Sequence, residues 1–244
     1  MFKRLDRSRI SERDLEYHLN GDPHRPESWL SDIILGGQDG LVNTLGVILG
    51  VAAASGDSRL VLAAGLAAAF AESVSMGAVA FTSRRAERAY YESEREREHR
   101  HITEIPELER EEVREIYRRK GFKDELLDRI VDTITGNKDV WVAVMLSEEH
   151  KLAEPKKGQA LRSALIVGFS AIVGSLIPLF PFIFLSLNTA ILFSMSVSAV
   201  TLFAVGFYKA KTMVGHPGKS GLEMAIIGIA SALVGYAVGS FFST

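Results

Sequence analysis

The chain has 244 residues, 47% of them hydrophobic and 24% charged, with a formal net charge of −2, averages that match a soluble protein of one or two domains. The distribution excludes that class: residues 31–55, 60–82, 160–185, 189–208 and 222–242 are nearly free of charge, while 84–157 is crowded with Glu, Arg and Lys. The absence of cysteine excludes disulfides, thiolate metal sites and cysteine nucleophiles, and basic residues interleaved with acids rather than gathered in a patch exclude a nucleic-acid partner.

Residues 1–30 are charged and contain no short apolar core, so no cleavable signal is expected there. A short helix is predicted from near Ser11 to Gly21, ahead of Pro23 and Pro26. Trp29 then stands where either an interfacial aromatic or an ordinary packed Trp would fit. The five apolar blocks hold about 20 residues each, and at about 1.5 Å per residue each spans a hydrocarbon layer of about 30 Å. One polar insert could not solvate five helices that are apolar all round, so the blocks read as membrane spans.

The second span is expected to continue past the membrane surface. Neither Gly nor Pro interrupts the chain between Gly77 and Pro106, and "SRRAERAYYESEREREHRHITEI" is rich in good helix formers. A helix from about Leu60 to about Thr103 would be on the order of 65 Å long, half of it projecting. Three further helices are predicted at 107–120, 124–135 and 138–153, the first two ended by Gly121 and Gly136 and the third followed by Pro155. Pro178 and Pro181 are expected to bend or end the third span.

The fold class is therefore all-α: a five-span helical membrane protein with a cytoplasmic helical metal-binding domain inserted between spans 2 and 3. Its expected divisions are an N-terminal segment 1–30, spans 1 and 2 at 31–83, the insert at 84–157, and spans 3 to 5 at 158–244. Lys and Arg cluster before the first block, in the insert, and between blocks four and five, whereas the other side has only Arg59. The positive-inside rule then puts the N-terminus and the insert in the cytoplasm and Ser243-Thr244 outside.

Polar residues recur inside the apolar blocks. Asp39, Asn43, Gly46 and Gly50 share one face of the first span, and Gly65, Ala69, Glu72 and Met76 share one face of the second. Small residues, including the Gly46/Gly50 and Gly235/Gly239 pairs, let helices approach closely and let polar groups meet instead of facing lipid. A charge at bilayer depth costs about 2.5–3.5 kcal/mol on insertion scales, which makes an intramembrane carboxylate a functional candidate. Other readings stay open: Asp39 as the N-cap of a helix broken at "GGQDGL", Glu72 as a protonated acid bonded to a neighbouring helix, Met76 as core. Two carboxylates, an amide oxygen and a thioether make a mixed oxygen and sulfur set that suits a first-row divalent ion such as Fe²⁺. Because buried carboxyls hold protons that a metal must displace, metal moving one way can drive protons the other way.

In the insert, Glu98 and His101, Glu109 and Glu112, and Met145 and Glu149 form pairs at helical spacing, as a metal site assembled from several helices requires. A solvated face laced with ion pairs is the competing reading.

"WLSDIILGGQDGLVNTLGVILGVAAA", "ESVSMG", "EIPELEREEVREIYRRKGF" and "WVAVMLSEEHKLAEP" resemble, in order, the first-span signature, the second-span Ser-Met-Gly motif and the cytoplasmic metal-binding domain of the vacuolar iron transporter family. The resemblance covers nearly the whole chain. It implies a homodimer of five-span subunits, a metal path between the two first spans, and exchange of cytosolic Fe²⁺ for protons. It assigns translocation to Asp39 and Met76, and ion capture to Glu98, Glu109, Glu112, Met145 and Glu149. Two positions depart from the pattern: His101 stands where another Glu is expected, and Glu72 lies one turn before the Met, whereas plant-like members place the membrane Glu nearer two turns before it, where this chain has Ala68.

The expected activity is thus divalent-metal/proton antiport that removes Fe²⁺ from the cytoplasm, with Mn²⁺, Co²⁺ and Zn²⁺ as further candidate ions and no prosthetic group. The expected partners are metal ions, protons, the lipid bilayer and a second copy of the chain, in a prokaryotic plasma membrane or a vacuolar membrane. A membrane-anchored metal sensor or buffer without transport is the alternative. No Ser/His/Asp arrangement, nucleotide loop or zinc motif supports an enzyme.

Overall fold

A computed structural model of the chain describes residues 28–212 and 215–242. The predicted helix from Ser11 to Gly21 and the Ser243-Thr244 end lie outside the described residues. All regular structure among the described residues is helical, with no strand: α1 (Ser28–Ser55), α2 (Ser58–Glu104), α3 (Pro106–Arg119), α4 (Asp124–Thr135), α5 (Lys138–Val144), α6 (Gln159–Leu179), α7 (Pro181–Phe184), α8 (Leu187–Thr212) and α9 (Pro217–Phe241). Five of them, α1, α2, α6, α8 and α9, are long and apolar enough to cross a membrane.

Helix α1 is the hub of the spans. It packs against α2, α6, α8 and α9, and α2 and α8 pack further against α6 and α9 respectively. Contact is close because the touching residues are small. A methyl group at Gly235 or Gly239 would overlap the carbonyls of Gly46 and Gly50, and one at Gly174 would overlap the carbonyl of Gly37. The two Gly-x-x-x-Gly pairs expected from sequence therefore meet each other, α1 against α9. Serines bond across helices at the same contacts: Ser73 Oγ donates to the Gly168 carbonyl at 2.8 Å, Ser175 to Gly40 at 3.0 Å and Ser194 to Pro178 at 2.8 Å. Gly239→Leu is expected to separate α1 from α9, since the colliding atoms are backbone and cannot swing away; a lowered thermal midpoint of the purified protein in detergent, about 2 kcal/mol or more of destabilisation, checks this.

Side-chain and backbone signals set the helix ends. Asp57 caps α2 by accepting from the Arg59 N–H at 2.7 Å, after Gly56 turns the chain at φ 64°. Pro106 starts α3, with Glu107 and Glu109 in its first turn and Arg118 and Arg119 in its last, the order the helix dipole favours. Asn137 caps α5 through its bonds to the Asp139 and Val140 amides. Pro178 lies inside α6 one residue before its end, and Pro181 opens α7, so the two prolines terminate the third span.

Helix α2 runs unbroken for 47 residues, about 70 Å, so the division expected at residue 83 falls inside one helix. Its far half, with α3, α4 and α5, builds the insert around a core of Ile102, Val113, Leu127, Val131, Ile134, Trp141, Val142, Met145 and Leu146. Arg110 to Asp132 and Arg114 to Asp128 tie α3 to α4 across the outside. The third insert helix differs from its expected span of 138–153. The α-helical part ends at Val144, and Met145–Glu149 form one π-helical turn closed by the His150 N–H on the Met145 carbonyl at 3.3 Å. Wider turns of this kind interrupt helices mostly where side chains must be re-aimed.

Candidate metal centres

Glu98 and His101 lie on the projecting half of α2, Glu109 and Glu112 on α3, and Glu149 and His150 at the end of the π-turn. The structure gathers them at one point. Ligand atoms of Glu98, His101 and Glu109 all lie within 4.8 Å of one another, as do those of Glu98, Glu149 and His150. Glu98 belongs to both groups, which makes the two triads one centre. His101 Nδ1 is 3.1 Å from Glu109 Oε1, and His150 Nε2 is 2.9 Å from Glu98 Oε1.

Burial separates this centre from a solvated acidic face. Glu98 is 2% exposed and Glu109 3% exposed, and the second oxygen of each, Oε2, is buried with no hydrogen-bond partner. A buried acceptor without a partner costs about 1–3 kcal/mol, more when charged, and like charges add repulsion. Burial, then the neighbouring charges of Glu98, Glu112 and Glu149, push Glu109 up to about 7. Glu149 is raised by burial and then by Glu112. For His150, burial opposes the charged form, but the Glu98 hydrogen bond and the Glu149 charge outweigh it and the net shift is upward. The cluster thus holds more protons near neutrality than isolated side chains would, and a divalent cation bound among its oxygens and nitrogens would replace them.

Of the insert residues expected from sequence, Glu98, His101, Glu109 and Glu149 meet directly, and Glu112 is half-buried beside Glu109. Met145 is fully buried in the insert's apolar core at the start of the π-turn. Two residues were not among those expected from sequence. His150 follows Glu149 directly, and neighbours on an α-helix point about 100° apart; only the π-turn brings both to Glu98. Glu94 is 3% exposed, one turn before Glu98, and pairs with Arg97 at 3.0 Å. Its position on the Glu94, Glu98, Ile102 stripe of α2 was a usable signal.

Within the spans, α1 continues through "GGQDGL", so Asp39 is not an N-cap. Asp39 and Glu72 are half-buried, and their carboxyl groups are near enough to interact. The Asn43 amide donates to Glu72 Oε1, joining α1 to α2. Met76 is half-buried one turn along from Glu72. The structure therefore brings Asp39, Asn43 and Glu72 together. Asn43 itself is exposed, as is Val47 one turn on, so this polar face of α1 opens outward from the single chain.

A third charged group was missed altogether. Asp32, at the insert end of α1, is 6% exposed, accepts a 2.7 Å hydrogen bond from Ser163 Oγ on α6, and faces the Arg84 guanidinium of α2 at 3.5 Å. It ties three helices together where α2 leaves the spans.

Five apolar helices and two carboxylate-rich clusters, one inside the spans and one in a helical insert, define an integral membrane protein equipped to bind cations. Residues 30–240 match the model of the VIT family. The chain belongs to that family. It is 32% identical over 228 residues to vacuolar iron transporter 1 of Oryza sativa subsp. japonica, covering 91% of this chain and 90% of the relative. It is 34% identical over 203 residues to the vacuolar iron transporter of Centaurea cyanus, covering 82% and 83%. With the protein CCC1 of Saccharomyces cerevisiae it shares 28% identity over 208 residues, covering 82% of this chain and 64% of the relative.

Proposed function

We propose that this protein is a divalent-metal/proton antiporter that moves Fe²⁺ out of the cytoplasm: the names of its plant relatives support iron transport, and its own buried carboxylates support the exchange of a divalent ion against protons. The observation that carries the reading is the pair of unpartnered, buried carboxylate oxygens of Glu98 and Glu109 within a cage of nitrogen and oxygen ligands. The insert collects the ion through Glu98, His101, Glu109, Glu112 and Glu149, with His150 as a further nitrogen ligand, and Met145, buried in the adjoining apolar core, as the sulfur ligand expected from sequence. Its two imidazoles and several carboxylates suit Fe²⁺, Mn²⁺, Co²⁺ and Zn²⁺ better than Mg²⁺ or Ca²⁺. Asp39, Asn43, Glu72 and Met76 form the path through the spans.

Helix α2 carries both clusters: Glu72 and Glu98 are separated by about 40 Å of continuous helix. The positive-inside rule supports a cytoplasmic insert, since the basic last turn of α8, with Lys209 and Lys211, lies on the same side as the insert's arginines. A homodimer is supported by the outward polar face of α1, where an exposed Asn43 bonded to a half-buried Glu72 would otherwise meet lipid. Two copies meeting there would line a path with two sets of Asp39, Asn43 and Glu72.

Purified protein in liposomes is expected to accumulate Fe²⁺ when a proton gradient is imposed, in proportion to the gradient and with counterflow of protons read by an internal pH dye. Uptake equal to empty liposomes would leave a metal buffer as the function. Uptake that ignores the proton gradient would remove the antiport.

A further inference from the structure

We propose that the neck between spans and insert holds a binding site for the phosphate group of an anionic phospholipid. A cavity of about 500 Å³ lies there between α2 and the segment leading into α6, lined on one side by Phe81, Arg84, Arg85 and Arg88, with the carboxylates of Glu87 and Glu92 among them, and on the other by Lys156 and Leu161. Its chemistry is divided. Phe81 and Leu161 continue the apolar surface of the spans, on which Leu161 and Leu165 are 59% and 65% exposed, whereas the arginines and the lysine begin the charged surface of the insert. A lipid has the same division at the same depth, acyl chain below and phosphodiester above.

The charges are not interchangeable. Arg84 is held by Asp32 and Glu87, and Arg88 by Glu92 at 2.7 Å. Arg85 and Lys156, among the described residues, make no ion pair; the Arg85 guanidinium instead lies over the Phe81 ring, 5.8 Å from its centroid. Two cations with no ion pair among the described residues therefore face one amphipathic cavity. The first turn of α6, capped by Gly158 with no side-chain bond, borders it as well; the Gln159 N–H is taken by the Lys156 carbonyl at 3.3 Å, which leaves the Ala160 and Leu161 amides as backbone donors beside the two cations. Basic pockets between helices at the membrane surface recognise anionic headgroups by these means. The site is separate from both carboxylate clusters and does not depend on what the protein transports.

The test is native mass spectrometry of the delipidated full chain, titrated separately with phosphatidylglycerol, phosphatidylcholine and inorganic phosphate. Phosphatidylglycerol is expected to bind more tightly than phosphatidylcholine. Arg85→Gln with Lys156→Gln is expected to weaken phosphatidylglycerol binding about 25-fold, about fivefold for each cation removed, with no change in thermal midpoint because both side chains are exposed. Inorganic phosphate at the same concentration is expected not to displace the lipid. Equal phosphatidylglycerol retention by the wild type and the double variant overturns the site, and full displacement by inorganic phosphate overturns its assignment to a lipid.

Discussion

Asp39→Ala is expected to reduce Fe²⁺ uptake by proteoliposomes to the level of empty liposomes while leaving metal binding by the insert unchanged. The two clusters sit about 40 Å apart along α2 and share no residue, so they are separable in a way that a single binding site would not be. Removing the carboxylate also relieves the insertion cost of a charge at bilayer depth, about 2.5–3.5 kcal/mol, so the variant should fold at least as well as the wild type. Loss of transport with unchanged expression and thermal midpoint then speaks for chemistry rather than structure. Glu72→Gln sharpens the result, because a glutamine keeps an oxygen to accept from the Asn43 amide but can neither ionise nor exchange a proton for a cation. At least about a tenfold fall in flux is expected, from the range in which metal-site changes act. Flux at wild-type level in the Asp39→Asn, Glu72→Gln double variant would remove the spans' carboxylates from the transport path.

The second large effect concerns pH and metal in the insert. Glu109 is pushed up to about 7 in the folded protein, against an ordinary value of 4.5, and Glu149 and His150 are raised as well. A raised value means that the fold favours the protonated form. The stabilisation is fully present below the unfolded-state value and is lost as pH rises through the folded one. For Glu109 the window runs from about 4.5 to about 7, and the shift corresponds to about 3 kcal/mol. His150 and Glu149 add to the loss with the same sign. Without metal, the full-length protein is therefore expected to have a lower insert stability at pH 8 than at pH 5, read as smaller amide protection factors, each taken relative to the intrinsic exchange rate at its own pH, along Glu98–His101 and Glu109–Glu112. Co²⁺ or Zn²⁺ should restore protection at pH 8 and do little at pH 5, where protons compete. Protection that rises with pH in the absence of metal would contradict the buried, unpartnered state of these carboxylates.

The spans were plain in the sequence because a 20-residue apolar run has few fates, and α2 emerged close to its expected limits because no Gly or Pro interrupts it between Gly77 and Pro106. Candidate ligands on regular helices were found through their three- and four-residue spacing, and Glu98, His101 and Glu109 converged as that spacing implied. His150 escaped for the opposite reason: its approach to Glu98 depends on a π-turn, whose extra residue leaves no periodic mark. Asp32 escaped because its partners, Arg84 and Ser163, are 52 and 131 positions away.

What the chain alone determined was the partition of its residues between lipid and water, the helices that follow from it, and the spacing of the candidate ligand side chains. Hydrophobicity and helical period act locally, within a turn or a span, and so can be read without coordinates. Which of those side chains share a centre, which carboxylate oxygens lose water without gaining a donor, and which glycines admit a neighbouring backbone were decided only when the helices packed. Those are properties of pairs far apart in sequence, set by crossing geometry and burial, and no window of residues contains them.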